Sequence, residues 1–393
     1  MAESSVVDSV VSFDLKTLRE REFPELDRGG DIYLNSASTG PIPTRTVQAL
    51  DEWMQRRQRP QTIRVEDEFA VSRLARERCA ALIGADVEEI ALSGNTSGGV
   101  NLAARTLPLG AGDVIVASEG EFPANVYPWM AVARARGAEL RLIPRAGAWP
   151  DEEALLAALD DPAVRVLAVS WVSFSTGYRV ELARLGAACR ERGVYLAVDA
   201  IQGVGAAELD VHACQVDFLA CGGQKWLLSP WGTGFTYVRR ELVEQLEPPA
   251  AGWLSVKGAE TFSRLMDYDL TWYDDARRFE VGTLPCEILA AMGASLSLPL
   301  EIGMPEVARR VAMLAGRIVA WAESNPSVRL LTPSDPARRA GIVAFVPPDV
   351  EGVAGRLADA KVSFSLRLGG VRLAPHYFNT VAEVDAALRA IEG

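Results

Sequence analysis

Lysine is scarce in this 393-residue chain: of its 40 basic residues only Lys16, Lys225, Lys257 and Lys361 are lysines, and the other thirty-six are arginines. Histidine is scarcer still, and two residues, His212 and His376, exclude a histidine-rich metal site and leave most acid–base work to other groups. The five cysteines, Cys79, Cys189, Cys214, Cys221 and Cys286, are odd in number, scattered and without a CxxC pair. That pattern argues against a disulfide framework and suits reduced thiols. No apolar run reaches the length of a membrane span. A basic patch is missing too: the formal charge of −12 is spread along the chain, which argues against nucleic acid and anionic membranes as partners. The opening MAESSVVDSVVSF has acidic residues where a signal peptide carries positive charge, and so reads as a mature start. These absences together favour a soluble, cytoplasmic enzyme.

What is present is an ordinary globular composition, 49% hydrophobic and 23% charged, in a length that suits two domains or one large one. Helical patterns over 13–22, 46–57 and 66–83 precede a short strand at 89–92, which runs into SGNTSGGVNL. There a glycine- and hydroxyl-rich turn opens a helix, so free backbone N–H groups and the helix dipole make an anion site. The chain then alternates: strands at 114–117, 139–143, 166–169 and 194–198, with helices from about 123 and over 151–159 and 180–192 between them. Almost wholly apolar strands separated by helices indicate a parallel sheet covered on both faces. Ligands of such sheets sit beyond the carboxyl ends of the strands. After residue 284 two long helices, 286–298 and 305–324, short strands at 342–345, 362–365 and 370–373 and a last helix over 381–391 read as a smaller α/β domain.

The chain is organised around the stretch from Asp199 to Lys225. It opens where an apolar strand ends on an acid and closes on a lysine after a Gly-Gly turn. Arginine cannot lose its proton or form an imine, whereas a lysine in apolar surroundings can be a neutral nucleophile, so Lys225 reads as a Schiff-base lysine. Anion loop, strand-end acid and lysine are far apart in sequence, but a parallel sheet brings such positions together. Pyridoxal 5'-phosphate needs all three: a phosphate anchor, a carboxylate on the ring nitrogen and an amine for the aldehyde. Two unit charges about 3 Å apart at an effective dielectric of ~20 attract by roughly 5 to 6 kcal/mol before desolvation. A neutral side chain at Asp199 would hold a protonated ring far less well.

With these residues in view the chain resembles the class V, fold type I aminotransferase-type pyridoxal phosphate enzymes, in the cysteine desulfurase-like and isopenicillin N epimerase-like branch. The resemblance runs from YLNSASTGPIP to RLAPHYFNT. It implies a large cofactor-binding domain over 25–283 with a mostly parallel, seven-stranded-type sheet, and a small domain over 284–393 joined by 1–24. It also implies a homodimer with shared active sites and an amino-acid substrate. Carried over residue by residue, Lys225 matches the Schiff-base lysine, Asp199 and Gln202 the partners of the ring nitrogen and phenolic oxygen, and Thr96 and Ser97 the phosphate loop. Gly282 and Thr283 match the stretch that reaches the neighbouring subunit's phosphate, and Arg372 the clamp on the substrate carboxylate.

The departures bear on the reaction. Gln224 and Gly222 stand where the family often has histidine and serine; Gln224 can still donate to phosphate. Phe122 replaces the ring-stacking histidine and can stack without moving a proton. Trp171 replaces a pocket asparagine, and His376 is a candidate pocket acid or base. The segment 363–376 is short and has no cysteine where desulfurases carry the persulfide-forming one. The expectation is therefore transamination or β-elimination of the C–S lyase kind at the substrate α-carbon, not a persulfide-type desulfurase. Epimerisation, as in isopenicillin N epimerase, ranks lower because Phe122 cannot carry a proton. A catalytically silent pyridoxal phosphate-binding regulator is the reading from another class. A nucleotide-binding dehydrogenase would need GxGxxG on the first strand–helix turn, which GNTSGG lacks.

Overall fold

A computed structural model describes residues 13–393, so the reading of the first dozen residues as a mature start lies outside the described part. Strands are numbered β1 to β13 along the chain. Seven of them, β2 (Ile90–Ser93), β3 (Val114–Ser118), β4 (Glu139–Ile143), β5 (Val164–Ser170), β6 (Tyr195–Asp199), β7 (Phe218–Gly222) and β8 (Gly234–Val238), form one sheet in the order β2-β8-β7-β6-β5-β3-β4. The five from β4 to β7 are parallel, and β8 runs antiparallel to both its neighbours. This is the α/β, fold type I arrangement, with the parallel strands joined by helices.

Side-chain alternation explains why the strands are apolar throughout. Val114, Val116, Leu167, Val169, Leu196 and Val198 pack into the core on one face, and Ile115, Ala117, Val166, Ala168 and Ala197 into the core on the other. The second core includes the helix Thr96–Thr106 through Val100, Ala103 and Ala104. By the same period of two, Ser170 and Asp199 project to the face of that helix, side by side, because they are register partners on β5 and β6. The strand ends Ser118, Ser170, Asp199 and Gly222 thus share one edge.

A second, antiparallel sheet has the order β12-β13-β10-β9, from Arg329–Leu330 (β9), Val343–Val346 (β10), Ser365–Arg367 (β12) and Gly370–Leu373 (β13). Its core is shared with the helices Met304–Ser324, Val350–Asp359 and Val381–Glu392. Near the start of the chain β1 (Ile32–Tyr33) pairs in parallel with β11 (Val362–Ser363). Residues 36–40 then pass from this pairing to the edge of the large sheet.

Several element bounds differ from expectation for local reasons. The helix expected from about Pro123 is a single 3-10 turn, Pro123–Asn125, and the α-helix starts after a break at Val126 and runs Tyr127–Arg136. The helix from Cys286 continues to Ile302, because Pro299 removes one N–H without stopping it and the end comes at Gly303. The expected strand over 362–365 divides between two sheets, as β11 and β12. Among the described residues no single helix is long and apolar enough to cross a membrane.

Candidate active site

The lysine turn is built by close approach. β7 is buried along its whole length and passes into Gly222 and Gly223, after which Lys225 is partly buried. A Cβ on Gly222 would lie 2.6 Å from Gln224 Oε1 and 3.2 Å from Thr96 Oγ1. Glycine there and glutamine two residues on are therefore one packing solution, since the Gln224 side chain fills the room that a serine would take. The segment 36–40 closes over the turn: Gly40 donates from its N–H to the Gln224 carbonyl at 2.9 Å, and a Cβ on it would collide with the Lys225 carbonyl.

The amine of Lys225 lies 5.7 Å from the centroid of the Phe122 ring, which itself packs edge-on to Phe174 at 5.2 Å. Burial pushes this amine down to about 8 from its ordinary 10.5; the Asp199 charge opposes that shift, and Arg372 and Arg367 add to it. Asp199, 3% exposed, accepts a hydrogen bond from the Ile201 N–H at 3.1 Å. Burial raises its carboxyl to about 6, against the attraction of Lys225.

Thr96 and Ser97 open the helix on the Asp199 face. Asn95 caps it, its side chain accepting from the Gly98 N–H at 2.9 Å. Thr96 is buried and accepts from the Gly222 N–H at 2.9 Å, which ties the anion loop to the lysine turn, while Ser97 is exposed. Gln202 is buried between the two: its amide donates to the Ala37 carbonyl at 3.0 Å and its carbonyl accepts from the Trp226 indole at 2.9 Å.

Arg372 enters from the second sheet. It is 2% exposed, donates to the Phe174 carbonyl at 2.5 Å and to the Ser38 and Ser365 hydroxyls at 2.8 and 3.2 Å, and has no partner for its Nε. No carboxylate pairs with it among the described residues, so burial drags it down to about 10. A buried guanidinium held only by neutral oxygens has a strong unmet demand for an anion.

Other expected residues are placed elsewhere. His376 is fully buried: its Nδ1 accepts from the Tyr377 N–H at 2.8 Å and its Nε2 meets the Trp226 carbonyl at 3.0 Å. With both nitrogens engaged and burial depressing it to about 3, it is a neutral packing group. Trp171 is 4% exposed and packs its ring against Gly203 in the core. Gly282 and Thr283 precede the helix that starts at Cys286, and Thr283 lines a separate cavity of about 570 Å³ whose walls include Trp253, Tyr273 and Arg277 but neither Lys225 nor Asp199.

Sequence reasoning passed over Ser38 and Ser365, which hold Arg372, and Glu121, whose carboxyl binds the end of β5. The signal for Ser38 was present in the SASTG segment; Glu121 stands next to Phe122 and drew no notice beside it. The cluster fits pyridoxal phosphate by the chemistry of its groups. A helix N-terminus suits the phosphate, a buried carboxyl the ring nitrogen, an amine near neutrality the aldehyde, and an anion-seeking arginine an amino-acid carboxylate.

Comparison with known proteins agrees on family and corrects the expected reaction. A probable cysteine desulfurase of Aeropyrum pernix is 31% identical over 82% of this chain and 80% of its own. The isopenicillin N epimerase of Streptomyces clavuligerus is 28% identical over 92% of this chain and 94% of its own. In fold, a cysteine desulfurase of Thermococcus onnurineus NA1 superposes with a TM-score of 0.84 at 24% identity, covering 97% and 98% of the two chains. The ranking that put transamination or β-elimination first and excluded a persulfide-forming desulfurase is overturned by the desulfurases among these relatives. It rested on one loop without cysteine, and a missing thiol there bears on where sulfur goes, not on the groups around Lys225. Residues 32–370 match the family described as aminotransferase class-V, and the chain is a pyridoxal phosphate-dependent enzyme of that family.

Proposed function

We propose that this enzyme is a cysteine desulfurase-type catalyst, which takes the sulfur from a cysteine-class amino acid and passes it to a thiol as a persulfide. The observation that carries this reading is the 31% identity with a probable cysteine desulfurase over most of both chains. The bonds balance without an oxidant: the C–S bond of cysteine breaks, an S–S bond to the acceptor thiol forms, and cysteine plus thiol gives alanine plus persulfide. Of the five cysteines, Cys221 interacts with Asp199 and Lys225 but is fully buried on β7, and Cys214 lies against Gly186 of the helix Leu182–Arg192. Cys79, Cys189 and Cys221 are buried with their thiols pushed up, and Cys286 lines the separate cavity. The acceptor is therefore a thiol from outside the chain.

Bound pyridoxal phosphate supplies an aldehyde that condenses with amines and a ring that takes up the electron pair left at the substrate α-carbon. Arg372 receives the substrate carboxylate through its Nε and Nη groups, with Ser38 and Ser365 fixing the guanidinium plane. Lys225 would hold the cofactor aldehyde and would take the substrate α-proton, for which an amine near neutrality is suited. Asp199 would keep a proton on the ring nitrogen, Thr96, Ser97 and Gln224 would hold the phosphate, Gln202 would bond the phenolic oxygen, and Phe122 would offer the ring an apolar face. Gly282 and Thr283 belong, in this reading, to a homodimer's shared site, with 25–283 and 284–393 as its two domains and the cytoplasm as its compartment.

The test is to incubate the enzyme with L-cysteine and a small thiol and to measure alanine and persulfide. Equal amounts of both, rising with thiol concentration, are expected. No alanine from L-cysteine at any thiol concentration would sink the proposal.

A further inference from the structure

We propose that Glu121 is a positioning residue of the cofactor site, the second carboxylate behind Asp199 that reinforces the proton on the ring nitrogen of bound pyridoxal phosphate. Its carboxyl is fixed by three donors: the Ser170 N–H at 2.9 Å, the Ser170 hydroxyl, and the Asn125 amide at 3.1 Å. Asn125 is itself held by the Trp129 indole at 3.3 Å. Ser170 is the register partner of Asp199 on the neighbouring parallel strand, and both side chains project to one face. Ser170, which holds the Glu121 carboxyl, and Asp199 therefore stand about one strand spacing apart, roughly 5 Å between backbones.

A staple for these donors needs both oxygens, of which a glutamine would keep one and set its amide N–H against a donor at the other. What a carboxylate adds is charge, and no basic side chain bonds to Glu121 to cancel it. The charged groups around it are Asp199 on β6, and Glu119 and Arg145, which line the same cleft. Burial, with a smaller push from the Asp199 charge, raises Glu121 to about 7. Its negative charge is consequently present above that pH and lost as the pH falls through it. A proton on the ring nitrogen is held more firmly when both carboxylates are charged than when Asp199 acts alone. The inference does not depend on which amino acid is the substrate.

The experiment scans the absorption of the holoenzyme's bound cofactor from pH 5.5 to 9, without substrate, in wild type and in Glu121→Gln. A spectral inflection near pH 7 in wild type that is missing from E121Q supports the proposal. So does a kcat lowered roughly tenfold, from one charge at close range, with KM little changed. Superimposable scans, or a wild type without the inflection, overturn it. If E121Q takes up no cofactor, Ser170→Ala decides, since it drops one hydroxyl bond and leaves the charge. An inflection moved above pH 7 in S170A, as loss of a hydrogen bond to the charged form requires, supports Glu121 as its source, and one that is unmoved or lost overturns the assignment.

Discussion

Replacing Arg372 with methionine tests the substrate end of the site and separates binding from folding. The guanidinium is almost fully buried, donates to three neutral oxygens and carries a charge that no carboxylate balances among the described residues. Its removal should hardly harm the ligand-free protein. Ser38 and Ser365 keep Asn35 as a partner, at 2.9 and 2.7 Å, so only the Phe174 carbonyl loses its bond. That loss costs about 1 to 2 kcal/mol, and relief of an unpaired buried charge offsets much of it. Binding behaves differently. Two charge-assisted hydrogen bonds to a substrate carboxylate contribute about 1.5 to 3 kcal/mol each at most, and a net loss near 3 to 4 kcal/mol is roughly a 10² to 10³-fold fall in kcat/KM. The fall should lie mainly in KM, because the carboxylate is held in ground state and transition state alike. Lysine at this position keeps the charge but not the fork, and should recover at most a tenth of the loss. The assay is alanine formation from L-cysteine over a range of concentrations, beside urea unfolding of the ligand-free proteins. An R372M variant within fivefold of wild-type kcat/KM, or one that unfolds several kcal/mol more easily, would refute the assignment.

Three further outcomes are expected. Reducing the ligand-free protein with borohydride after brief exposure to pyridoxal phosphate should label Lys225 with a midpoint near pH 8, since only the neutral amine reacts; peptide mass analysis that finds the label on Lys16, Lys257 or Lys361 instead would count against it. In Asp199→Asn the same midpoint should move to lower pH, because the lost carboxylate charge is what opposes the burial of the Lys225 amine; a midpoint moving upward would reverse that sign. Arg76→Ala should lower the unfolding free energy by about 3 kcal/mol or more, since it leaves Glu280, which it now binds through Nε at 3.0 Å, buried without its cation. A urea midpoint unchanged in R76A would mean that the Leu92 N–H alone satisfies Glu280.

The fold was legible because its signals are local. Apolar strands bounded by glycine or acid, each followed by an amphipathic helix, define a parallel sheet before any coordinate is known, and the strand ends then have to share an edge. Alternation along β5 and β6 even fixes that Ser170 and Asp199 face the helix of the anion loop. What stayed hidden were pairings between distant, unremarkable segments. Two residues, Ile32 and Tyr33, pair with Val362 and Ser363, and no composition marks so short a strand. Strand β12 looks continuous with β11 in sequence, yet the hairpin that joins it to β13 turns on Leu368 and Gly369, both in the left-handed region.

The same distinction runs through the site. Lys225 and Asp199 could be read from the sequence because a strand-end acid and a lone lysine after two glycines are conspicuous in themselves. Arg372 is one of thirty-six arginines, and only burial without a carboxylate partner sets it apart. His376 is the converse case, a rare residue in a suggestive motif that has both nitrogens bonded to backbone. The missing cysteine in 363–376 misled for a related reason. It was weighed as evidence against a persulfide-forming desulfurase, whereas the tight β12–β13 hairpin that brings Ser365 opposite Arg372 has work of its own, holding the guanidinium. Because this segment orients Arg372 and carries no thiol, the reaction proposed above has its sulfur leave on an acceptor that comes to the site.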